Sequence, residues 1–168
     1  MIFTRESGLT DPGRLPDWDA WYLGHLAAMA AVPGIASAQR FRALGEGVPP
    51  SLAMYTVASP VVFDSDAYRR TRGMGPFVSV VDETLHRRNL FDGLDVAPEI
   101  AADGILLAAD KTEAKGRPAG MIWLRAAGLD CSTAYRGIAV LRDLHSAREM
   151  AAQLGGAALY APMTRRFP

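Results

Sequence analysis

The clearest periodic pattern in the chain lies near its N-terminus and is helical. From residue 18 onwards, large apolar and aromatic positions recur at spacings of four, three, four and three. They are Trp18, Tyr22, His25, Met29 and Val32. This spacing places the five side chains on one face of a helix. Asp17 is expected to cap the helix, and Pro33-Gly34 to end it, because proline cannot continue a helix and glycine accepts left-handed backbone.

Short apolar segments around this helix predict strands, because turn-forming Gly, Pro and Asp residues separate them. These strands cover residues 1–6, 35–44 and 52–58. Ser59-Pro60 predicts a second helix, with serine as the N-cap and proline at the first helical position, that reaches about Arg70. Residues 78–88 fit a further helix and residues 89–91 a closing strand. This order is close to that of a ferredoxin-like unit.

A second round of elements begins near residue 102. Its strands are predicted at 104–109, 136–141 and 158–163, and a charged loop at 113–118. Residues 121–129 fit either a short helix or a strand. Ser146 followed by Glu149 has the capping-box pattern, which predicts a helix from Ser146 to about Leu154.

The second round partly repeats the first. The strand, cap and helix at 136–154 have the same order as those at 52–70, which suggests an internal duplication. We therefore predict an α+β fold of two ferredoxin-like βαββαβ units in tandem. The first covers 1–92, and the second, at 102–168, is degenerate because its first helix is poorly matched.

Composition narrows the class of protein. Among 168 residues, 18 are Lys or Arg and 18 are Asp or Glu, so the formal net charge is zero. Nucleic-acid binding depends on clustered positive charge, so no nucleic-acid partner is expected. The single cysteine, Cys131, excludes an internal disulfide. No secretory signal or bilayer-length apolar segment is evident, which predicts a cytoplasmic protein without a membrane partner.

Several short motifs stand in order in the first half of the chain. A Trp- and Tyr-rich helix carries a His-Leu pair, a Val-Pro-Gly stop follows, and a strand then pairs arginine with an aromatic residue. The motifs occupy residues 18–26, 32–35 and 38–41, with further agreement at 52–55 and 59–68. With them, residues 17–70 resemble the EthD-like branch of the dimeric α+β barrel superfamily.

The resemblance implies two ferredoxin-like units whose sheets face each other, with a ligand cavity between sheet and helices. Members of the superfamily include cofactor-free isomerases, cyclases, dehydratases and monooxygenases. The chain is therefore expected to form one compact barrel and a homodimer. Whether the barrel closes within one chain or between two chains stays open at this point.

His25 is the first candidate for chemistry. On the predicted helix it shares a face with Trp18 and Tyr22, so its imidazole points into the protein and can pass protons near neutral pH. The alternative is a core histidine bonded to a carbonyl group. Tyr22 is either an acid–base partner or part of the aromatic face. Tyr55, in the middle of a strand, would orient or protonate an enolate, or serve in packing alone.

Arg40 is the candidate for substrate binding. It shares one strand face with Arg42, and an arginine in a cavity binds a carboxylate through two hydrogen bonds. The alternative is a solvated or ion-paired arginine. Trp18 and Asp17 are expected at the same cavity. Trp123 is a candidate wall residue from the second half, with packing as its alternative.

The sequence gives no reason to expect a metal ion or another cofactor. The three histidines, at 25, 86 and 145, are far apart in sequence, and no pair has metal-ligand spacing. Gly73-Met74-Gly75 lacks the lysine and threonine of a phosphate loop. The run at 86–88 is expected to be a solvated helix end, or else to close over an anionic ligand.

Together with the resemblance, these residues predict a cofactor-independent enzyme for a small oxygenated organic acid, as in aromatic-compound catabolism. His25 would move the proton, Tyr55 or Tyr22 would donate a hydrogen bond, and Arg40 would bind the carboxylate. Suitable reactions are double-bond, cis–trans or keto–enol isomerisation, lactone rearrangement and dehydration. The alternatives are a cofactor-free monooxygenase or cyclase for a phenolic or polyketide substrate, and a non-catalytic ligand-binding barrel.

Overall fold

The computed structural model describes residues 1–115 and 118–168. Within them, eight antiparallel strands form a closed barrel in the order β1-β3-β2-β8-β5-β7-β6-β4. The strands are β1 (Ile2–Ser7), β2 (Ile35–Ala43), β3 (Ser51–Val57), β4 (Arg87–Asp92), β5 (Ile105–Lys111), β6 (Ile122–Leu129), β7 (Tyr135–Leu141) and β8 (Ala158–Pro162). The α-helices are α1 (Leu15–Ala30), α2 (Asp66–Thr71) and α3 (Leu144–Gln153). The predicted α+β barrel is confirmed.

Each half of the barrel has the same strand order. Strands β4-β1-β3-β2 form one half and β8-β5-β7-β6 the other, so in both halves the first strand lies between the third and the fourth. Ladders between β2 and β8 and between β4 and β6 join the halves. One chain therefore closes the barrel. The division into units at 1–92 and 102–168 and the homodimer stay predictions.

Alternation along the strands separates an inner from an outer core. Ile2 of β1 packs with Leu106 and Ile138 of the opposite half, so this cluster fills the barrel lumen. Phe3, the next residue, packs instead with Trp18 and other residues of α1, outside the barrel. Helix α3 covers the outer face of β5 and β7 in the second half. Neighbouring residues of β1 thus serve two different environments.

Helix α1 confirms the predicted face but not the predicted cap. The five residues that recur from Trp18 to Val32 are all buried. The helix begins earlier than expected, at Leu15, with Pro16 in its first turn. Asp17 therefore lies inside the helix and does not cap it, although its charge suits the N-terminal turn. Gly34 has φ +90° and ends the segment as predicted.

The second predicted helix is divided by a serine. Residues Pro60–Asp64 form a 3-10 turn, after which Ser65 has extended backbone and its side chain accepts a hydrogen bond from the backbone N–H of Tyr68. The helix predicted at 78–88 is wrong. A 3-10 segment at Gly75–Val80 is followed by a turn in which Asp82 accepts two hydrogen bonds from Thr84, and β4 then begins.

The second half resolves one ambiguity and corrects one cap. Residues 121–129 contain strand β6, not a helix. Helix α3 is capped by Asp143, whose two carboxylate oxygens accept from the backbone N–H and the hydroxyl of Ser146. Ser146 is therefore a partner of the cap and not the cap itself. In the predicted loop at 113–118, Gly116 and Arg117 lie outside the described residues. No helix in the described ranges is long and apolar enough to cross a bilayer.

Candidate functional site

A cavity of about 320 Å³ lies between the outer face of the first half-barrel and helices α1 and α2. Strands β1, β3 and β4 provide its floor, and Met29 of α1 is part of its wall. The ionisable groups in its lining are Arg5, Arg69, Arg72, Arg88, Tyr55, Tyr68 and His86. Among the described residues, no carboxylate contributes to this lining. The cavity is therefore strongly positive and suits an anionic ligand.

Arg5 is the buried cation of this cavity. Its side chain belongs to a residue that is only 7% exposed, and Nη1 donates to the carbonyl oxygen of Gly73 at 2.9 Å. Nε has no hydrogen-bond partner in the described part of the chain, and no described carboxylate lies within 4 Å of the guanidinium. A buried charge without a counter-ion is costly, so an anion in the cavity would be strongly favoured.

The other arginines of the lining are differently placed. Arg88 forms an ion pair with Asp130 at 3.2 Å, which holds its side chain at the rim. Arg69 lies 3.9 Å from Asp64 and 3.9 Å from Asp66 at the surface. Arg72 is exposed. Arg5 is thus the arginine that would bind a ligand carboxylate away from solvent. Arg72 and Arg88 lie nearer to solvent.

His86 and the two phenols provide proton-transfer groups. The Nε2 atom of His86 is buried and, within the described residues, has no hydrogen-bond partner. Burial, and then the charge of Arg5, lower the pKa of His86, so its imidazole is neutral near pH 7. Burial raises the pKa of Tyr68 and of Tyr55, so both phenols keep their protons. The cavity therefore combines a base with hydrogen-bond acids.

His25 lies behind the cavity wall. The residue is 8% exposed, and its ring stacks on Trp21 with 4.7 Å between centroids. Its Nε2 atom has no hydrogen-bond partner among the described residues, and His25 is not among the lining residues of the cavity. Burial, and then Arg5, lower its pKa to about 4. Its imidazole is therefore neutral and a weak base at neutral pH.

Tyr22 and Tyr55 are neighbours of His25 in the same apolar layer. The Tyr22 ring meets the His25 ring edge-on at 5.6 Å, and Tyr55 stacks on Phe3 at 5.2 Å. Both phenol oxygens are buried. After burial, the nearby Tyr22 is the next cause that raises the pKa of Tyr55. The structure thus brings together the three predicted catalytic residues, but only Tyr55 reaches the cavity.

Arg40 belongs to a different hollow. It is 2% exposed and donates to the Oδ1 of Asp19 at 2.8 Å and to the hydroxyl of Ser51 at 3.0 Å. Its guanidinium lies over the rings of Trp18 and Tyr22, at 4.7 and 4.1 Å from their centroids. With Trp18 it lines a hollow of about 520 Å³ at the start of α1. The predicted anchor is therefore already ion-paired, away from the cavity of Arg5.

The remaining predicted binding residues do not meet at the cavity either. Asp17 is exposed and lies 3.7 Å from Arg14, with which it forms a surface ion pair. Trp123 lies on β6 in the other half of the barrel, and its ring is close to Gly137. Neither residue lines the cavity that contains Arg5. The structure therefore separates Arg40, Trp18, Asp17 and Trp123 from that site.

Two residues of the cavity have only weak signals in the local sequence pattern. Arg5 follows Phe3 by two positions on a strand, so alternation places both on one face, but this signal does not distinguish a cavity from solvent. His86 belongs to the run at 86–88, for which the sequence offers closure over an anionic ligand only as the alternative to a solvated helix end, because residues 78–88 fit a helix. The actual loop instead brings His86 to the cavity formed with Tyr68.

The lowered pKa of His25 gives a direct prediction. An NMR titration is expected to show one imidazole with a pKa of about 4. Histidine in the unfolded chain has a pKa near 6.5, so the unfolded state binds more protons between these values. The free energy of unfolding should therefore fall as the pH decreases from about 6.5 to 4, by about 3 kcal/mol for this group.

A His25→Gln variant should lose the fall in the free energy of unfolding between pH 6.5 and 4. The imidazole resonance that titrates with a pKa of about 4 should also be absent from its NMR spectrum. A wild-type His25 signal that titrates near 6.5 would contradict the burial described above.

Comparison with known proteins identifies the fold but not a family. No protein-family model matches the chain, and no curated protein matches it. A solved structure provisionally named as a chlorite dismutase is 8% identical, with a TM-score of 0.62, over 97% of this chain and 95% of that chain. A provisionally named monooxygenase from Fusobacterium nucleatum is 8% identical, with a TM-score of 0.54, over 97% and 92%. The fold is that of the dimeric α+β barrels.

The similarity extends over almost the whole length of the chain, so the barrel architecture is shared and not only one half of it. At this level of identity the likeness concerns the fold alone. The EthD-like branch suggested by residues 17–70 is not confirmed by these matches and stays a prediction. Function must therefore be argued from the cavity itself.

Proposed function

We propose that the chain is a cofactor-independent enzyme that moves a proton on a small organic acid bound in the cavity of Arg5. One observation carries the proposal: a buried guanidinium without a counter-ion and a neutral imidazole with an unpaired nitrogen, among the described residues, line the same cavity. The guanidinium of Arg5 suits a carboxylate, and the imidazole of His86 suits a carbon acid held beside that carboxylate.

Binding would begin with the ligand carboxylate. Arg5 lines the cavity and has no described carboxylate within 4 Å, and Arg72 and Arg88 add positive charge around the entrance. The volume of about 320 Å³ is at the lower end of small-molecule sites, which limits the substrate to a compact acid. Phe3 and Met29 provide apolar surface for its carbon skeleton.

Proton transfer would follow at the carbon next to a carbonyl group. The neutral His86 removes the proton through Nε2, and a protonated phenol, Tyr68 or Tyr55, donates a hydrogen bond to the oxygen that becomes an enolate. Return of the proton at another carbon shifts a double bond, and rotation in the enol exchanges cis and trans isomers. Within this scheme we favour isomerisation, with lactone rearrangement and dehydration as related outcomes of the same enolate.

Deuterium exchange tests this reaction because it requires no assay for a specific product. 2-Oxo carboxylates and β,γ-unsaturated carboxylates are incubated with the protein in D₂O, and NMR records exchange at the carbon next to the carbonyl group. A His86→Gln variant is expected to reduce the exchange rate of a positive compound by about 10²- to 10⁴-fold with the fold retained. The matched control is His145→Gln, because His145 is exposed on α3.

Exchange that survives in His86→Gln at the wild-type rate would remove His86 as the base. Binding of the panel compounds without any exchange would favour a non-catalytic ligand-binding protein instead.

A second candidate is a cofactor-free monooxygenase. Its support is the fold shared with the provisionally named monooxygenase and the buried phenols of the cavity. An oxygen electrode distinguishes the two functions, because an oxygenase consumes O₂ with a phenolic substrate and an isomerase does not.

A further inference from the structure

A second cavity, of about 390 Å³, opens at one end of the barrel lumen. Strands from both halves line it, together with the hairpin loop at 47–49 and residues 156–158. Its ionisable groups are Glu6, Arg87, Asp110, Arg136 and Tyr160. Glu6 is the neighbour of Arg5 in β1, so alternation directs it into the lumen while Arg5 contacts the outer cavity. The two cavities therefore lie on opposite sides of one strand.

Arg136 holds a charged network across the lumen. It is 1% exposed, and its Nε and Nη2 atoms each donate to one carboxylate oxygen of Asp110 at 2.7 Å. Nη2 also donates to the Oε1 of Glu6 at 2.8 Å, and Nη1 to the hydroxyl of Thr4 at 3.2 Å. Two carboxylates thus share one guanidinium, and with both carboxylates ionised the network has a net charge of −1.

Two polar atoms of this cavity are left without partners. The Oε2 of Glu6 and the phenol oxygen of Tyr160 are both buried and have no hydrogen-bond partner in the described residues. Glu6 is 4% exposed, and Tyr160 is fully buried. The network of Arg136 explains why Glu6 is present, but it does not explain these two atoms. Buried polar groups normally have partners, so a donor from outside the chain is expected here.

A positively charged residue, Arg87, lines the same cavity as the negatively charged Glu6. Arg87 is paired directly with Glu6 in the β1–β4 ladder, so both side chains are on the same face of the sheet. No described carboxylate lies within 4 Å of Arg87. Cα atoms of directly paired strand residues are about 5 Å apart. Glu6, with its unpaired carboxylate oxygen, and Arg87, which has no described carboxylate within 4 Å, therefore line the same cavity from the same face of the sheet.

We propose that this end of the barrel is a second binding site, for a small zwitterion that has one primary ammonium and one carboxylate group. The ammonium donates to the Oε2 of Glu6 and to the phenol oxygen of Tyr160. The carboxylate binds Arg87. The ammonium lies against Glu6 and the carboxylate against Arg87, so the occupied site, with Glu6 ionised, has no net charge.

Proton release is a signature of this binding. Burial raises the pKa of Glu6 despite the nearby Arg136, with Asp110 adding to the rise and Arg87 opposing it. Burial, and then the charge of Glu6, raise the pKa of Tyr160, which lines the same cavity. An ammonium group stabilises the ionised form of Glu6, so binding should displace a proton and become stronger as the pH rises through the pKa of Glu6.

Calorimetry on the full chain tests the site with simple probes. Glycine, β-alanine and 4-aminobutanoate differ in the distance between their charged groups, and propylamine and propanoate each carry one of the two. We expect at least one of the three zwitterions to bind, and each single-charge compound to bind at least tenfold more weakly. Titrations in two buffers of different ionisation enthalpy should reveal proton release.

Variants assign the contacts. Glu6→Gln keeps an oxygen for Arg136 but should weaken binding at least tenfold and abolish proton release. Tyr160→Phe should weaken binding several-fold and leave proton release intact. Arg87→Gln should remove the preference for zwitterions over propylamine. Arg125→Gln, exposed on β6, is the control and should bind as the wild type does.

Absence of binding by all three zwitterions would overturn the proposal, as would equal binding by wild type, Glu6→Gln and Tyr160→Phe. The result of this binding test does not depend on the function proposed for the cavity of Arg5. Deuterium exchange in the outer cavity should be unchanged in Tyr160→Phe, because Tyr160 lies on the lumen side of the barrel.

Discussion

Replacement of Arg5 by methionine is expected to lower kcat/KM for an anionic substrate by about 10²- to 10³-fold. The guanidinium is buried and has no carboxylate partner among the described residues, so a bound anion would be its counter-ion. Loss of one partner from such a buried charge pair costs about 2–5 kcal/mol. Benzoate serves as a simple carboxylate probe, and its affinity, measured by calorimetry, should fall in parallel because Arg5 is expected to bind the carboxylate of the substrate and of the probe alike.

The Arg5→Met variant has a second readout that needs no substrate. The charge of Arg5 is one of the two causes that lower the pKa of His25, so the variant should raise that pKa from about 4. Arg70→Gln is the control, because Arg70 lies on α2 but not in the lining of the cavity. Unchanged benzoate affinity together with an unchanged His25 titration would contradict the position assigned to Arg5.

Replacement of Arg136 by methionine is expected to destabilise the barrel by about 3–5 kcal/mol, the usual cost when one partner of a buried charge network is removed. The variant would leave the Glu6 carboxylate buried inside the lumen without its cation. Chemical denaturation at pH 7 measures the change. Arg142→Met should have little effect, because Arg142 is exposed after β7.

The pH dependence of this loss has a definite sign. Arg136 opposes the rise in the pKa of Glu6, so that pKa should be higher still in Arg136→Met. A carboxyl group with a raised folded-state pKa stabilises the fold at low pH and loses this contribution as the pH rises through that value. The loss of stability in Arg136→Met should therefore be smallest near pH 4.5 and grow as the pH rises. A deficit that grows as the pH falls would contradict the network.

The sequence was informative wherever the signal was local and periodic. The face from Trp18 to Val32 repeats with helical spacing, and each of its members is buried as predicted. Strands bounded by glycine and proline also lie close to their predicted positions, because a short apolar segment between turns has few alternatives. Repetition of element order even indicated two similar halves, whose strand orders agree in the barrel.

Competition between neighbouring signals explains the wrong predictions. Asp143 and Ser146 both suit a helix cap, and only the observed hydrogen bonds show that Asp143 has that role. The segment at 78–88 contains helix-compatible residues, but the turn at Asp82 and the pairing of β4 with β1 override that tendency. Local propensity is a weak guide where tertiary pairing supplies more free energy.

By itself, then, the sequence determined the barrel-forming strands other than β6, the buried face of α1 and the balanced net charge. The tertiary structure alone decided that one chain closes the barrel, that Arg40 is neutralised by Asp19, and that Arg5 faces a cavity. The reason is sequence separation. Arg5 meets Gly73, and Arg136 meets Glu6, across 68 and 130 residues, and no local period encodes such a meeting.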